Sequence, residues 1–194
     1  MRSPGRFALL ASLAAILAAT AAAPVLAQAK GGAASAGEKP HYIADRTFLL
    51  TAATGALEQV RLARLAVLRA SDPGVKSFAQ KVVDDFGKAD GQLRQLAASK
   101  GVKDLPTHPD QSTKALFVRF DKLAGANFDV EYIRQVVEDQ QAAAAQFSNE
   151  AQNGADADVK HFAATFLPTL RDALSTGQGL ENRIAGRAPT GPGQ

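Results

Sequence analysis

The chain contains no cysteine, which excludes disulfide bridges and thiolate chemistry. The lipid-attachment site of a bacterial lipoprotein is excluded as well, because it requires a cysteine. Without covalent bridges, the folded state must be stabilised by packing. The part of the chain after residue 27 is long enough for this, because a domain of about 150 residues buries roughly 68–70% of its unfolded surface.

Several motifs of common functional classes are also missing. No cluster of Lys and Arg with interleaved aromatic residues occurs, so the sequence gives no support for nucleic-acid binding. No G-x-S-x-G, Walker A or G-x-G-x-x-G pattern is present, which leaves the usual nucleophilic and nucleotide-binding enzymes without support. The 22 basic residues exceed the 19 acidic ones. Two of the basic residues lie in the first 27 positions, so the remainder is close to neutral.

The N-terminal segment differs from the rest. Arg2 and Arg6 precede the uncharged run FALLASLAAILAATAAAPVLA, residues 7–27. A basic start, an apolar stretch and a small-residue ending are typical of a secretory signal peptide. The run is also long enough to span a bilayer if it is retained. We predict a cleaved signal peptide over residues 1–27 and export to the periplasm, with an uncleaved inner-membrane anchor as the alternative.

Four long helical patterns follow, with almost no alternation typical of strands. Residues 28–42 are predicted to be a flexible linker and residues 186–194 a disordered tail, because both are rich in small residues and glycine or proline. The helices between them are predicted over residues 43–70, 73–100, 127–153 and 156–184, with a shorter helix over 111–124. Two helical hairpins joined by a longer crossover are typical of a ferritin-like four-helix bundle over residues 43–185.

Two short patterns recur along the chain. VKSFA at residues 75–79 returns as VKHFA at 159–163, and VVDD at 82–85 returns as VVED at 136–139. Both repeats suggest duplicated helical units. Pro168 lies inside the last helical pattern, where the loss of a backbone hydrogen bond should kink the helix.

Three segments carry a family resemblance: FAQKVVDD (78–85), GANFDVEYIRQVVEDQ (125–140) and FLPTLRDAL (166–174). They resemble the exported bacterial family catalogued as domain of unknown function 4142, over about residues 47–180. The resemblance implies a ferritin-like bundle in the periplasm or outer membrane. It also implies a metal-ligand cage, with family histidines at the positions of Phe86, Gln140 and Ala173 and a family glutamate at Glu58.

The three histidines are replaced here. Phenyl and methyl groups cannot coordinate a metal, and an amide is a poor substitute for imidazole at transition metals. A di-iron centre would need Glu-x-x-His pairs, and the spacings that begin at Glu58, Asp85 and Glu138 contain no histidine. We therefore predict a degenerate metal site with no cofactor. His41, His108 and His161 lie away from these positions and are predicted to be solvated.

Three carboxylates of the implied constellation remain: Glu58, Asp85 and Asp139. They could form a weak divalent-cation site with oxygen ligands alone. Such sites normally need six or more oxygen ligands, so pairing with Lys, Arg or water is favoured. The weak cation site stays as the alternative.

The predicted function is a non-enzymatic binding or structural module of the cell envelope. The alternative is a metal-binding, redox or stress-protection protein that uses the remaining carboxylates. A third hypothesis is a platform for an envelope protein or a small apolar ligand, because the alanine run 142–145 permits a cavity or close helix approach. Weak membrane association and a homo-oligomer are further alternatives for its partners.

Overall fold

A computed structural model describes residues 40–108 and 111–186, which belong to one compact unit. The predicted signal peptide, most of the linker and nearly all of the tail lie outside the described residues. The described elements are five α-helices: α1 Pro40–Arg69, α2 Pro73–Ser99, α3 Gln111–Asp121, α4 Gly125–Asn153 and α5 Ala157–Ala185. The predicted all-α fold is confirmed. α1 begins at Pro40, so His41 belongs to a helix. The predicted linker over residues 28–42 therefore overlaps the first residues of α1.

The helices form two antiparallel hairpins, α1 with α2 and α4 with α5, which pack together through α1 against α4 and α2 against α5. α3 lies in the crossover between the hairpins, as predicted. One hydrophobic core runs between the four long helices, and its largest fully buried side chains include Tyr132, Phe120 and Phe128. None of the described helices has an apolar stretch long enough to cross a membrane.

The second helix of each hairpin begins at an aspartate. Asp72 accepts hydrogen bonds from the backbone of Gly74 and Val75 at the start of α2. Asp156 does the same for Asp158 and Val159 at the start of α5. Such caps satisfy backbone donors that have no partner inside the helix. These aspartates fix where each turn ends.

A glycine follows the end of α2, whereas α5 contains an interior proline and continues beyond it. Gly101 follows α2 with a φ of 76°, a left-handed conformation that glycine adopts at little cost. α5 continues through Pro168 to Ala185. Pro168 is exposed, and the interior proline does not terminate the helix.

The two turns are each held by a carboxylate from the opposite hairpin. Asp129 of α4 accepts hydrogen bonds from the Ser71 backbone and hydroxyl and from the Asp72 backbone. Asp45 of α1 accepts from the backbone of Ala155 at 3.0 Å and Asp156 at 2.8 Å. We call these contacts the α1–α2 clamp and the α4–α5 clamp. They tie the hairpins together reciprocally.

The clamps show which repeat reflects the architecture. Asp45 and Asp129, and Asp72 and Asp156, are separated by the same number of residues as VKSFA and VKHFA. The repeated unit is therefore one hairpin, with α1 equivalent to α4 and α2 to α5. VVDD and VVED lie on α2 and α4, which are not equivalent, so the interpretation of that second echo as part of the same duplication was wrong.

Candidate functional site

A cavity of about 220 Å³ lies between the long helices near the middle of the bundle. Its apolar wall comes mainly from α2, α4 and α5. The large apolar residues of that wall are Phe86, Leu93, Phe147, Phe162, Phe166 and Leu170. Small side chains of α1, including Ala52 and Ala56, leave the space that the cavity occupies.

The aromatic part of the wall is a connected cluster. The ring of Phe86 meets that of Phe166 edge-on, with centroids 5.2 Å apart. Phe147 lies 5.7 Å from Phe166 and 6.1 Å from Phe162. Phe86 is 4% exposed and belongs to the hydrophobic core. Burial of such a side chain contributes roughly 1.5–3 kcal/mol.

The other end of the cavity is polar. Asp139 accepts hydrogen bonds from the Nε2 atoms of Gln59 at 2.7 Å and Gln135 at 3.0 Å. Glu58 accepts from the hydroxyl of Thr113 at 3.0 Å. Burial raises the pKa of Asp139 to about 6, and the nearby charge of Glu58 adds to the increase. Two carboxylates thus share one end of a largely apolar space.

Gln140 lies at this polar end and is 1% exposed. Neither its Oε1 nor its Nε2 has a hydrogen-bond partner among the described residues, and the same holds for Oε1 of Gln59. A buried polar atom left without a partner costs about 1–3 kcal/mol. Buried polar groups are nearly always satisfied in native proteins, so three such atoms in one cavity indicate a place for a polar group of a bound molecule.

The cavity reaches the surface between α1 and α4. Thr51 and Gly55 of α1 and Ala142 of α4 line it and are exposed. A Cβ atom added at Gly55 would meet no atom within 4 Å. The small residues at this mouth leave a path for a ligand, in line with the prediction that the alanine run 142–145 permits a cavity.

The structure separates the residues of the implied constellation. Glu58, Phe86, Asp139 and Gln140 line the same cavity, but Ala173 is buried without lining it. Asp85 lies elsewhere, paired with Lys81 at 2.6 Å. The three carboxylates therefore do not converge. In residues 40–108 and 111–186 no group of three or more His, Cys, Asp or Glu side chains could hold a metal ion.

The sequence interpretation missed Gln59 as a site residue. The signal was present, because Gln59 follows Ala52 and Ala56 at helical spacing on the apolar face of α1. Gln59 is 5% exposed and lines the cavity. From the sequence, Gln140 was considered only as a metal ligand. The structure adds that its amide donor and acceptor have no partner among the described residues.

The comparisons with known proteins give one match. The family model described as a domain of unknown function (DUF4142) matches residues 27–180. No curated protein matches the sequence, and no solved structure does.

Proposed function

The chain belongs to the DUF4142 family, and from this premise we propose that it is an exported, non-enzymatic binding module of the cell envelope. It holds a small molecule in the cavity between its helices. The observation that carries the proposal is the Gln140 amide, which is buried in an apolar cavity with both polar atoms unpaired. Export rests on the basic and apolar start of the sequence.

The cavity has the features of a ligand site. It combines an apolar wall with a few convergent polar groups, the usual composition of small-molecule pockets. Its size suits a small ligand, since an apolar cavity of about 150 Å³ holds benzene. The small residues at the mouth supply access.

The test uses untagged protein purified from the envelope fraction of cells that express the full chain. Toluene fits the apolar wall, so saturating toluene should raise the melting temperature, because a ligand that binds only the folded state stabilises it. Gly55→Leu, at the mouth, should abolish the increase. Gly91→Leu is the matched control: Gly91 is also an exposed helical glycine with open space around it, but it does not line the cavity.

Both substitutions replace glycine inside a helix, so both should stabilise the protein by about 0.5–1 kcal/mol. Loss of the toluene effect in Gly55→Leu alone therefore reports closure of the cavity. An unchanged melting temperature of the unsubstituted protein in toluene would overturn the proposed site. Recovery of the protein in the cytoplasmic fraction would overturn the proposed location.

Glu58 and Asp139 support a second candidate, a metal-dependent redox or stress-protection role, because both carboxylates line one cavity. Elemental analysis of the same untagged protein tests it. Stoichiometric iron, manganese or zinc that Asp139→Asn removes and Asp85→Asn keeps would establish this role. Metal-free protein that also fails to take up these ions on dialysis would reject it.

A further inference from the structure

We infer that the ligand is a small protonated organic amine, whose ammonium group lies at the Glu58–Asp139 end and whose apolar body lies among the phenylalanines. This inference rests on the proposed function. Among the residues that line the cavity, the unpaired buried atoms are two acceptors and one donor. The acceptors are the Oε1 atoms of Gln59 and Gln140, and the donor is Nε2 of Gln140. An ammonium group offers three donors and no acceptor, which matches a polar end dominated by acceptors.

The charges of the cavity favour the same head group. Glu58 and Asp139 are its acidic lining residues, and the described lining contains no Lys, Arg or His. Asp139 is bound by two neutral amides and Glu58 by a hydroxyl, so their hydrogen bonds bring no positive charge. A cation gains from opposite charges in a half-buried site, while a carboxylate ligand would be repelled.

The apolar end suits an organic body. Four phenyl rings line it, from Phe86, Phe147, Phe162 and Phe166. Aromatic faces also attract cations that are shielded from water. Scaling from the benzene cavity of about 150 Å³, the available volume holds roughly nine non-hydrogen atoms. A single ring or a short alkyl chain with one amine fills this space.

A bare divalent cation fits less well. Calcium takes six to eight oxygen ligands, whereas both oxygens of Asp139 and one of Glu58 already accept hydrogen bonds, and two amide oxygens are unpaired. Such an ion would also leave the phenyl-lined end empty. The cavity shape therefore favours a molecule with a charged end and an apolar end.

Three probes of nearly equal size separate these possibilities: 2-phenylethylamine, 2-phenylethanol and phenylacetate. Titration calorimetry at neutral pH should show the amine binding at least tenfold more tightly than the alcohol, with phenylacetate weakest. If the alcohol or phenylacetate binds as tightly as the amine, the inferred head group is wrong while the proposed cavity stands. If none of the three binds and toluene also fails, the proposed function itself is wrong.

Substitutions then test the polar end. Asp139→Asn should lower amine affinity at least tenfold and leave the alcohol within about twofold, because the lost negative charge acts on the ammonium group and not on the hydroxyl. Glu58→Gln is a second variant with the same expectation. Asp85→Asn is the control, since Asp85 pairs with Lys81 outside the cavity. Equal losses for amine and alcohol in both cavity variants would indicate a structural role and overturn the inference.

Competition with a metal completes the test. Manganese at millimolar concentration should leave amine binding unchanged in the unsubstituted protein. Displacement of the amine by manganese, lost in Asp139→Asn, would assign the polar end to a metal ion and overturn the inference.

Discussion

In both clamps a buried aspartate accepts hydrogen bonds from two backbone amides, but the residues around the two aspartates differ. In the α1–α2 clamp, the carboxylate of Asp129 is 2% exposed and accepts from two backbone amides and the Ser71 hydroxyl. In the α4–α5 clamp, Asp45 is 6% exposed and accepts from two backbone amides. Asp45 also faces a second buried acid, Glu150. Equivalent positions thus give one saturated clamp and one that contains competing acids.

The competing acids make the α4–α5 clamp sensitive to pH. Burial raises the pKa of Glu150 to about 7, with further increases from its hydrogen bond to Asp45 and from the charge of Asp45. Position 66, which is equivalent to Glu150 in the first hairpin, is a fully buried alanine. The comparison teaches that a contact shared by both hairpins becomes responsive to pH where a second buried acid lies beside it.

The largest expected effect comes from the saturated clamp. Asp129→Ala removes three hydrogen bonds from partly buried donors of Ser71 and Asp72, so we expect a loss of about 3–4 kcal/mol in unfolding free energy. Asp45→Ala should cost less, about 1–2 kcal/mol, because it also relieves Glu150. Urea denaturation at pH 7 measures both. Asp84→Ala is the control, since Asp84 is exposed and bonds only within α2. Equal losses at Asp129 and Asp45 would contradict the comparison.

Substitution of Glu150 should give the next largest effect, as a change in how the unfolding free energy depends on pH. Its folded pKa lies above the ordinary value of 4.5, so the folded state retains a proton that the unfolded chain has released. Stability is therefore lost as the pH rises from about 4.5 to 7 and changes no further above that range. Glu150→Gln should flatten this part of the profile, with a gain in unfolding free energy of about 3 kcal/mol at pH 8 relative to pH 4.5.

Urea denaturation at several pH values, with and without Glu150→Gln, gives the measurement. Asp139, whose pKa is also raised, acts in the same direction. The difference between the two proteins isolates Glu150. A difference that is independent of pH would show that Glu150 stays charged in the folded protein.

The smallest effects belong to two equivalent ion pairs. Arg183 pairs with Asp72 at 2.7 Å, and Lys100 pairs with Asp156 at 2.7 Å. Arg183 donates both terminal nitrogens to Asp72 and holds the pKa of that carboxyl well below its usual range. Because both cations are partly exposed, we expect small losses of unfolding free energy, with the loss in Arg183→Met larger than that in Lys100→Met.

Salt provides the check on these pairs. Raising the ionic strength should reduce both losses through screening. The Asp72 pair should also weaken as the pH falls towards the ordinary pKa of Asp and below, since its carboxyl loses its charge at low pH. A loss at Lys100 larger than that at Arg183 would contradict the difference in geometry between the two pairs.

Much of the fold was predictable because it depends on local chemistry. The apolar stripes of α2 and α4 and the Asp72-Pro73 start of α2 lie in single segments, so their boundaries follow from helical spacing and capping. Both Phe86 and Gln140 were placed on the apolar stripes of their helices, and both line one cavity. The start of α1 was missed because Pro40 was assigned to the linker, although proline is tolerated in the first turn of a helix.

The candidate site was predicted only in part, because it depends on which side chains from distant segments meet. Glu58 and Asp139 face one cavity, while Asp85 turns to Lys81 on its own helix. Helical periodicity places all three near the edge of the core but does not decide which neighbour each contacts. The same holds for Gln59, whose partner Asp139 lies on another hairpin.

The amino-acid order by itself determined the helices and the hairpin pattern, because these depend on spacing and side-chain type within short segments. Tertiary structure decided the cavity, the unpaired amide of Gln140 and the unequal clamps. These depend on side chains that come close only when the hairpins pack, where burial removes water and sets both hydrogen bonding and pKa.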